Sequence, residues 1–402
     1  MTQLPNILGF LDSFLLPPSG SSSAANHDPV WNAVLIITTI FFFIVTTIMF
    51  VFIFKYRRRP GLVQGSQVTH NTPLEIVWTL IPLIIVMALF GVGLKGYMWY
   101  DKPPSDSYTI VAKVVSWKFT FYYPNGGISP YLYVPLGSDA HPRNIRLQIE
   151  AEPGDVLHAM YIPAYRIQRG AVPGRITELW FNATSVPPLH PGSSADTPEN
   201  HFFDIFCTQY CGEGHSQMRS RVYVIADEAQ FQAKLKQIAN PFVDIDGNPL
   251  PLATVGKNLV DIYGCNSCHT IDGKPNTGPT WENLYKRDHT FDISNEAGYS
   301  LKATDSDAKW DAYLSESIID PGAKIVGGFK NAMTNFAGQL SGPDPNDPKN
   351  ENNRRRLAII EYIKSLDHTK GPDGKPLYYK PAPIPTTAPA ATESSTTQSG
   401  KQ

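Results

Sequence analysis

The stretch FCTQYCGEGHSQM, residues 206–218, decides how the middle of the chain folds and what it binds. The chain has four Cys and seven Met in 402 residues, yet this one short stretch holds two Cys, one His and one Met. Thiolate, imidazole and thioether groups are the soft or borderline ligands that suit copper. The spacing C-x3-C-x3-H-x2-M lets both sulfurs approach one centre and therefore predicts a metal-binding loop. The four candidate ligands are Cys207, Cys211, His215 and Met218.

Two other interpretations of this loop stay open from the residues alone. A disulfide between Cys207 and Cys211 would suit an oxidising compartment. A zinc site would use the same Cys and His ligands, although Met is a poor ligand for zinc. A metal centre needs one more His, and the segment DVLHAMYIP offers His158 at the end of a predicted strand.

The segments around the loop predict a β-rich domain. Short apolar runs follow one another and are separated by Pro- and Gly-bearing connections such as YPNGG, EPGD and AVPGR. Many short strands with frequent turns are typical of an antiparallel sandwich or barrel. The runs are SYTIVAKVVSWKFTFYY, NIRLQIEA, DVLHAMYI, RITELWF, FFDIF and SRVYVIA.

Two long apolar runs precede this domain. Trp31–Phe54 has 24 residues without a formal charge, and Ile76–Leu94 has 19. A helix of about 20 apolar residues crosses a hydrocarbon layer of about 30 Å, so both runs predict membrane spans rather than buried helices of a soluble protein. The basic segment KYRRRP, residues 55–60, follows the first run and predicts a cytoplasmic loop with both termini outside.

The second span has a clear start signal in TPLEIVW. Thr72 suits the N-cap position, Pro73 the first helical position, and Glu75 completes a capping box. Downstream of the β domain, ATVGKNLVDIYG and NRRRLAIIEYIKSL predict helices, and the Pro-, Thr- and Ser-rich end of the chain predicts disorder.

The length of the chain suggests two or three domains, and the net charge of -2 without a large basic run argues against nucleic-acid binding. The predicted organisation is an outer-face N-terminal segment (1–30), a transmembrane hairpin (31–95, with spans 31–54 and 76–94), a β domain (96–226), a linker (227–252), a helical domain (253–367) and a disordered tail (368–402).

The loop closely resembles the dinuclear copper-A motif of subunit II of the haem-copper cytochrome c oxidases. The hairpin and the segments PLEIVWTLIP, DVLHAMYIP and AVPGR also follow the family's order, so the resemblance covers residues 30–226. It implies an all-β, cupredoxin-like Greek-key sandwich in which Cys207 and Cys211 bridge two coppers. The terminal ligands that it implies are His158, His215, Met218 and the backbone carbonyl of Gln209.

The chain departs from the family at two positions. Relatives often have Glu where Gln209 stands, which puts the side chain's help to a nearby magnesium ion in doubt. The family commonly shows W-x-W-x-F, whereas VSWKF has Val115 in place of the first Trp, the surface residue that receives electrons from soluble cytochrome c. Trp117 is kept and is the electron-path candidate. The family also implies that Glu75 lies near a proton-uptake path into subunit I.

A second motif, CNSCH, is the attachment signature of haem c. Cys265 and Cys268 would form thioethers with the haem, and His269 would ligate the iron. A thioredoxin-like redox pair is the alternative, but it calls for a βαβ context that this helical segment lacks. The region 253–367 is therefore predicted to be an all-α, class I cytochrome c domain.

The sixth iron ligand is open between one Met and two His. Met333 is the only Met after the motif, and His289 and His368 compete with it. His/Met ligation would raise the reduction potential, which suits a carrier that delivers electrons to copper. The segment TGPTWENL resembles the loop in which cytochromes c place a Gly-Pro against the haem, here Gly278 and Pro279.

Together these features predict the electron-accepting subunit of a bacterial respiratory oxidase, with copper and haem domains on the outer face of the inner membrane. Its predicted partners are subunit I with the oxygen-reducing haem-copper core, subunit III, membrane lipid, and a donor that is either cytochrome c or a quinol-oxidising complex. No catalytic residue is expected in this chain. The alternatives are the copper-A subunit of a nitric oxide reductase and a membrane-tethered copper chaperone or thiol oxidoreductase.

Overall fold

The computed structural model of the chain describes residues 15–57, 60–61, 69–138, 141–191, 193 and 195–367. The chain forms two units, Met1–Ala239 and Asn240–Gln402. Part of the basic loop (58–59) and the predicted tail with its His368 lie outside the described residues.

Two long helices begin the described chain, α1 (Ser22–Lys55) and α2 (Thr72–Tyr100). Their most apolar stretches have mean hydropathies of 2.7 and 2.5, and no part of those stretches is buried within the protein. Both are long and apolar enough to cross a membrane. They extend beyond the predicted spans because a polar turn at one or both ends of each apolar run continues the helix.

The start of α2 corrects one prediction. Asn71, not Thr72, is the N-cap residue, and its side chain accepts a hydrogen bond from the Leu74 N–H. Glu75 still closes the cap, since its Oε1 accepts from the Asn71 N–H at 2.9 Å. The N-cap lies one residue before the predicted position. Asn is also a favourable N-cap residue, and Asn71 adopts the extended backbone that the position requires.

The start of α1 and the end of α2 lie beside the sandwich. The Tyr100 hydroxyl, at the end of α2, donates to the Ser23 carbonyl at 2.9 Å. Gly20 is held between two loops of the sandwich, donating to Ala164 and accepting from Thr184. The start of α1 and the end of α2 therefore lie on the same side of the hairpin, next to the β domain.

The β domain is a sandwich of two five-stranded sheets within the described residues. One sheet has the order β3-β2-β1-β5-β8 and the other β4-β10-β9-β6-β7. The strands are β1 (Tyr108–Val115), β2 (Lys118–Tyr122), β3 (Ile128–Ser129), β4 (Leu132–Pro135), β5 (Asn144–Ala151), β6 (His158–Ile162), β7 (Ile167–Ala171), β8 (Ile176–Asn182), β9 (Phe203–Cys207) and β10 (Arg219–Ile225).

Alternation of apolar and polar residues builds this core. In β5, Ile145, Leu147 and Ile149 are buried while their neighbours are partly exposed, as a strand with one face on the core requires. The predicted sandwich after two apolar helices is confirmed. The sheets are mixed rather than purely antiparallel, because β1 pairs with β5, and β4 with β10, in parallel.

One predicted boundary was wrong. The helix α3 (Glu228–Ala239) places Phe231 and Leu235 in the sandwich core. The N-terminal unit therefore runs to residue 239, and the linker does not begin at 227. Sequence reasoning identified this helix but missed that its two apolar residues, one turn apart, need a surface to cover.

The C-terminal unit is mostly helical, as predicted. Its core is formed by aromatic and aliphatic residues from its helices and loops. The prediction of an all-α domain was incomplete, since β11 and β12 form a small antiparallel sheet. The elements are α4 (Leu252–Tyr263), β11 (Phe291–Ser294), α5 (Asp307–Ile319), β12 (Lys324–Val326), α6 (Ala337–Leu340) and α7 (Glu351–Ser365).

Candidate metal centre

The predicted metal-binding loop connects β9 to β10. Cys207 is the last residue of β9, and its N–H donates to the Met218 carbonyl at 3.2 Å, which closes the base of the loop. The Sγ atoms of Cys207 and Cys211 lie 3.7 Å apart. Since a disulfide requires about 2.05 Å, the two cysteines are thiols here.

The other loop donors surround this pair of sulfurs. The Gln209 carbonyl oxygen lies 3.2 Å from Cys207 Sγ. His215 Nδ1 is 3.3 Å from Cys211 Sγ, and Met218 Sδ is 3.9 Å from it. The structure therefore brings together all the loop groups that the sequence singled out.

His158 reaches the same place from another strand. It is the first residue of β6 rather than the end of a strand, and β6 pairs with β9 so that Met160 lies opposite Cys207. The ligand atoms of His158, Cys207 and Cys211 all lie within 4.8 Å of one another. The His158 ring is buried, and its Nδ1 finds no hydrogen-bond partner among the described residues.

The residues present fit a soft metal. A buried imidazole nitrogen without a partner is costly unless something binds it. Burial raises the pKa of the Cys211 thiol, and the adjoining Cys207 thiol raises it further, to about 12. The Cys211 thiol therefore stays protonated unless a cation stabilises its thiolate. Two sulfurs, a thioether and two imidazoles suit copper rather than magnesium or calcium.

Sequence reasoning missed the residue that orients His158. Asp155 Oδ2 lies 3.2 Å from His158 Nε2. Partial burial raises the pKa of Asp155, but hydrogen bonds from Ser116, from the Val156 N–H and from His158 outweigh that effect, so the pKa is lowered. The carboxylate therefore fixes the proton on Nε2, leaving Nδ1 for a metal. The sequence spacing D-x-x-H could have indicated that Asp155 lies close enough to orient His158.

The electron-path candidate Trp117 packs directly on the loop. Its Nε1 donates to the Cys211 carbonyl at 2.8 Å. A Cβ atom added to Gly214 would lie 2.4 Å from the indole Cδ2, so the loop passes the ring where only glycine fits.

The second predicted site lies in the C-terminal unit. Helix α4 is capped by Gly264, whose left-handed backbone (φ 70°) turns the chain into the motif that contains Cys265 and Cys268. His269 Nδ1 donates to the Pro279 carbonyl at 2.8 Å. Burial lowers the pKa of His269, although this hydrogen bond opposes the shift. The ring is therefore neutral at physiological pH, with Nε2 available as a ligand.

A cleft opens beside this histidine. Cys268, His269, Pro279 and Met333 all line it. Among the described residues His289 is not part of that lining, and its ring packs against Trp310 instead, with the ring centroids 5.7 Å apart. This placement favours Met333 over His289 as the sixth ligand, and His368 lies outside the described residues.

Two neighbours hold the His269 ring. A Cβ atom on Gly278 would lie 2.6 Å from His269 Cε1, which explains the glycine in the TGP segment. On the other side Trp281 stacks on the ring, with centroids 4.8 Å apart and planes 17° apart. This stacking partner was not predicted, although the Trp follows the Gly-Pro pair by only two residues.

Comparisons with known proteins point to an oxidase subunit. Residues 11–94 match the family model described as cytochrome c oxidase subunit II, transmembrane domain. Cytochrome c oxidase subunit 2 of Alkalihalophilus pseudofirmus is 26% identical over 295 residues, which is 71% of this chain and 79% of the relative. The chain resembles oxidase subunit II proteins both in its membrane hairpin and over most of its length. It is anchored in a membrane, because the matched segment holds both apolar helices.

Other similar proteins match shorter parts of the chain. Quinol oxidase subunit 2 of Bacillus subtilis is 30% identical over 162 residues, covering 38% of this chain and 49% of the relative. The periplasmic domain of cytochrome oxidase subunit II (CoxB) of Bradyrhizobium japonicum is 24% identical and matches with a TM-score of 0.28, covering 35% of this chain and all of that domain.

Proposed function

We propose that this subunit II accepts electrons from a donor through a covalent haem c and a dinuclear copper centre and delivers them to the oxygen-reducing haem-copper site of subunit I. The observation that carries the proposal is the convergence of two thiols, two imidazoles, a thioether and a carbonyl on one buried point. The ligands would be His158, Cys207, Gln209, Cys211, His215 and Met218.

The surrounding residues shield the proposed copper site from water and restrict its movement, and both properties favour electron transfer. Both cysteines and Met218 are at least nine-tenths buried, so water has little access to the sulfurs. The loop is closed at its base by backbone hydrogen bonds, which limits movement of the ligands. Copper held by Cys207 and Cys211 would supply a one-electron carrier at this site.

Haem c attachment is supported by local chemistry. Cys268 of the motif lines a cleft whose walls also carry His269 and Met333. The carbonyl of Pro279 fixes the tautomer in which Nε2 can bind iron. A haem c held there supplies a one-electron carrier of raised potential when its ligands are His and Met.

The donor side differs from that of relatives with the first Trp. Val115 stands where that Trp receives electrons from soluble cytochrome c, so a tethered haem is the alternative entrance for electrons. A covalent link keeps donor and acceptor at a high effective concentration. The donor to the haem is then cytochrome c or a quinol-oxidising complex.

The membrane arrangement follows from charge. Lys55 ends α1 and Arg57 follows it, whereas residues 1–30 contain no Lys or Arg. This bias supports a short loop in the cytoplasm of a bacterial inner membrane and both proposed cofactor domains on the periplasmic face. Subunits I and III would contact the hairpin, and Glu75, at the cytoplasmic end of α2, would lie near a proton path into subunit I.

Metal and haem analysis of the intact complex tests the proposal. Oxidised, purified complex should contain two coppers and one haem c in this chain, with an EPR signal and a near-infrared band of a mixed-valence copper pair. A chaperone or thiol oxidoreductase would lack that band, and a nitric oxide reductase would consume nitric oxide in preference to oxygen. Fully loaded preparations without copper would contradict the proposal.

A further inference from the structure

The turn between β1 and β2 touches both parts of the candidate copper centre. It consists of Ser116 and Trp117, which separate the two strands. One ligand, His158, comes from β6, and the rest come from the loop after β9. This two-residue turn therefore contacts two segments that are distant in sequence. The proposed copper site requires a fixed separation between those two segments.

Ser116 acts on the side of His158. Its N–H donates to Asp155 Oδ2 at 2.7 Å, and its hydroxyl donates to Asp155 Oδ1 at 2.6 Å. The Val156 N–H also donates to Oδ1, at 2.7 Å. The carboxylate is thus fixed in the orientation in which Oδ2 accepts from His158 Nε2, which directs Nδ1 at the thiols.

Trp117 acts on the side of the cysteines. Its indole N–H donates to the Cys211 carbonyl, and its ring fills the space where Gly214 has no side chain. The loop cannot move towards the ring without a clash, and it cannot move away without losing the hydrogen bond. Trp117 therefore sets the position of the loop relative to the β1–β2 turn.

We infer that the Ser116–Trp117 turn is the positioning element that fixes the separation between His158 and the cysteine loop, and with it the electronic structure of the copper pair. This inference rests on the proposed function, because it requires copper at the site. It assigns Trp117 a geometric role that is separate from any role in conducting electrons. It also explains why a small hydroxyl side chain stands beside that Trp.

The chain offers matched controls for both residues. Trp180 is also buried, against Trp99 of helix α2, but its Nε1 has no hydrogen-bond partner among the residues that the structure describes. Ser185 donates one hydrogen bond, to the Ser19 carbonyl, away from the loop. W180F and S185A therefore remove similar groups without touching the copper ligands.

The test compares five variants of the intact, copper-loaded complex: S116A, S116T, W117F, W180F and S185A. The readouts are copper content, the hyperfine splitting of the copper EPR signal, and the rate of copper release to a chelator. We expect W117F to release copper roughly tenfold faster and S116A about fivefold faster, each with altered hyperfine splitting, since outer contacts tune metal affinity by about 10–100-fold. S116T keeps the hydroxyl group and should therefore show the same hyperfine splitting and copper-release rate as the wild type.

The outcomes separate this inference from the function on which it rests. If wild-type protein holds the copper pair while S116A and W117F match it in splitting and release, the positioning role is wrong and the function stands. Equal changes in W180F and W117F would also contradict it, because they would reflect general destabilisation. If wild-type protein itself lacks copper, the proposed function fails first.

Discussion

In the N-terminal unit the candidate copper ligands come from two segments that meet only in the folded sandwich, whereas in the C-terminal unit the residues proposed to attach haem are nearly contiguous. His158 lies 49 positions before Cys207 and reaches it through the pairing of β6 with β9. Cys265, Cys268 and His269 occupy one turn of chain. The first site therefore depends on sheet register, and the second on a local motif plus one distant ligand.

This difference predicts how each site fails. In the proposed sites a thiolate would bind both coppers, so its loss would remove the copper centre, while a covalently attached haem would survive the loss of an axial ligand. The predictions below run from the largest expected effect to the smallest.

Replacing Cys207 by Ser should abolish copper binding and leave haem c content unchanged. The hydroxyl is a poor ligand for copper and cannot bridge two soft ions as a thiolate does. Metal analysis and haem absorbance of the purified complex measure both quantities. The reciprocal variant, Cys268→Ala, should lose stoichiometric haem attachment and keep the copper signal. Loss of both cofactors in either variant would show that the two sites are not independent.

Replacing Met333 by Leu should keep the haem attached and lower its reduction potential. Loss of a thioether ligand removes the stabilisation of the ferrous state, and a fall on the order of 0.1 V is a modest part of the roughly 0.8 V that axial ligands span. A redox titration of the haem band measures it. His289→Gln is the control, because that residue is not among the described lining of the cleft. An unchanged potential in Met333→Leu would remove Met333 from the iron.

The sequence predicted the local parts of both sites better than the parts that depend on packing. The candidate residues could be identified from the patterns C-x3-C-x3-H-x2-M and CNSCH. Residues so close in sequence can only place their side chains near one another. Asp155 and Trp281 were missed since their roles arise only when loops fold onto His158 and His269. The start of α2 was misplaced by one residue because two neighbouring residues both suit an N-cap.

Replacing Gly278 by Ala should destabilise the C-terminal unit by about 1–3 kcal/mol, because the added methyl group overlaps the His269 ring. Denaturant unfolding monitored by haem absorbance gives the free energy of unfolding. Gly338→Ala is the matched control: a Cβ there meets no described atom within 4 Å, and the residue lies in helix α6. Equal stability of the two variants would mean that Gly278 does not hold the histidine in place.

Replacing Gln209 by Glu should have the smallest effect on copper. The structure turns the Gln209 backbone carbonyl towards Cys207 Sγ, at 3.2 Å, so the proposed ligand is an atom that every residue type provides. We therefore expect unchanged copper content and an EPR splitting equal to that of the wild type within error. A carboxylate at this position adds a hard oxygen ligand, which magnesium prefers, so manganese used as a paramagnetic substitute should bind more tightly to the variant. Loss of copper from Gln209→Glu would show instead that the side chain, and not the carbonyl, faces the metal pair.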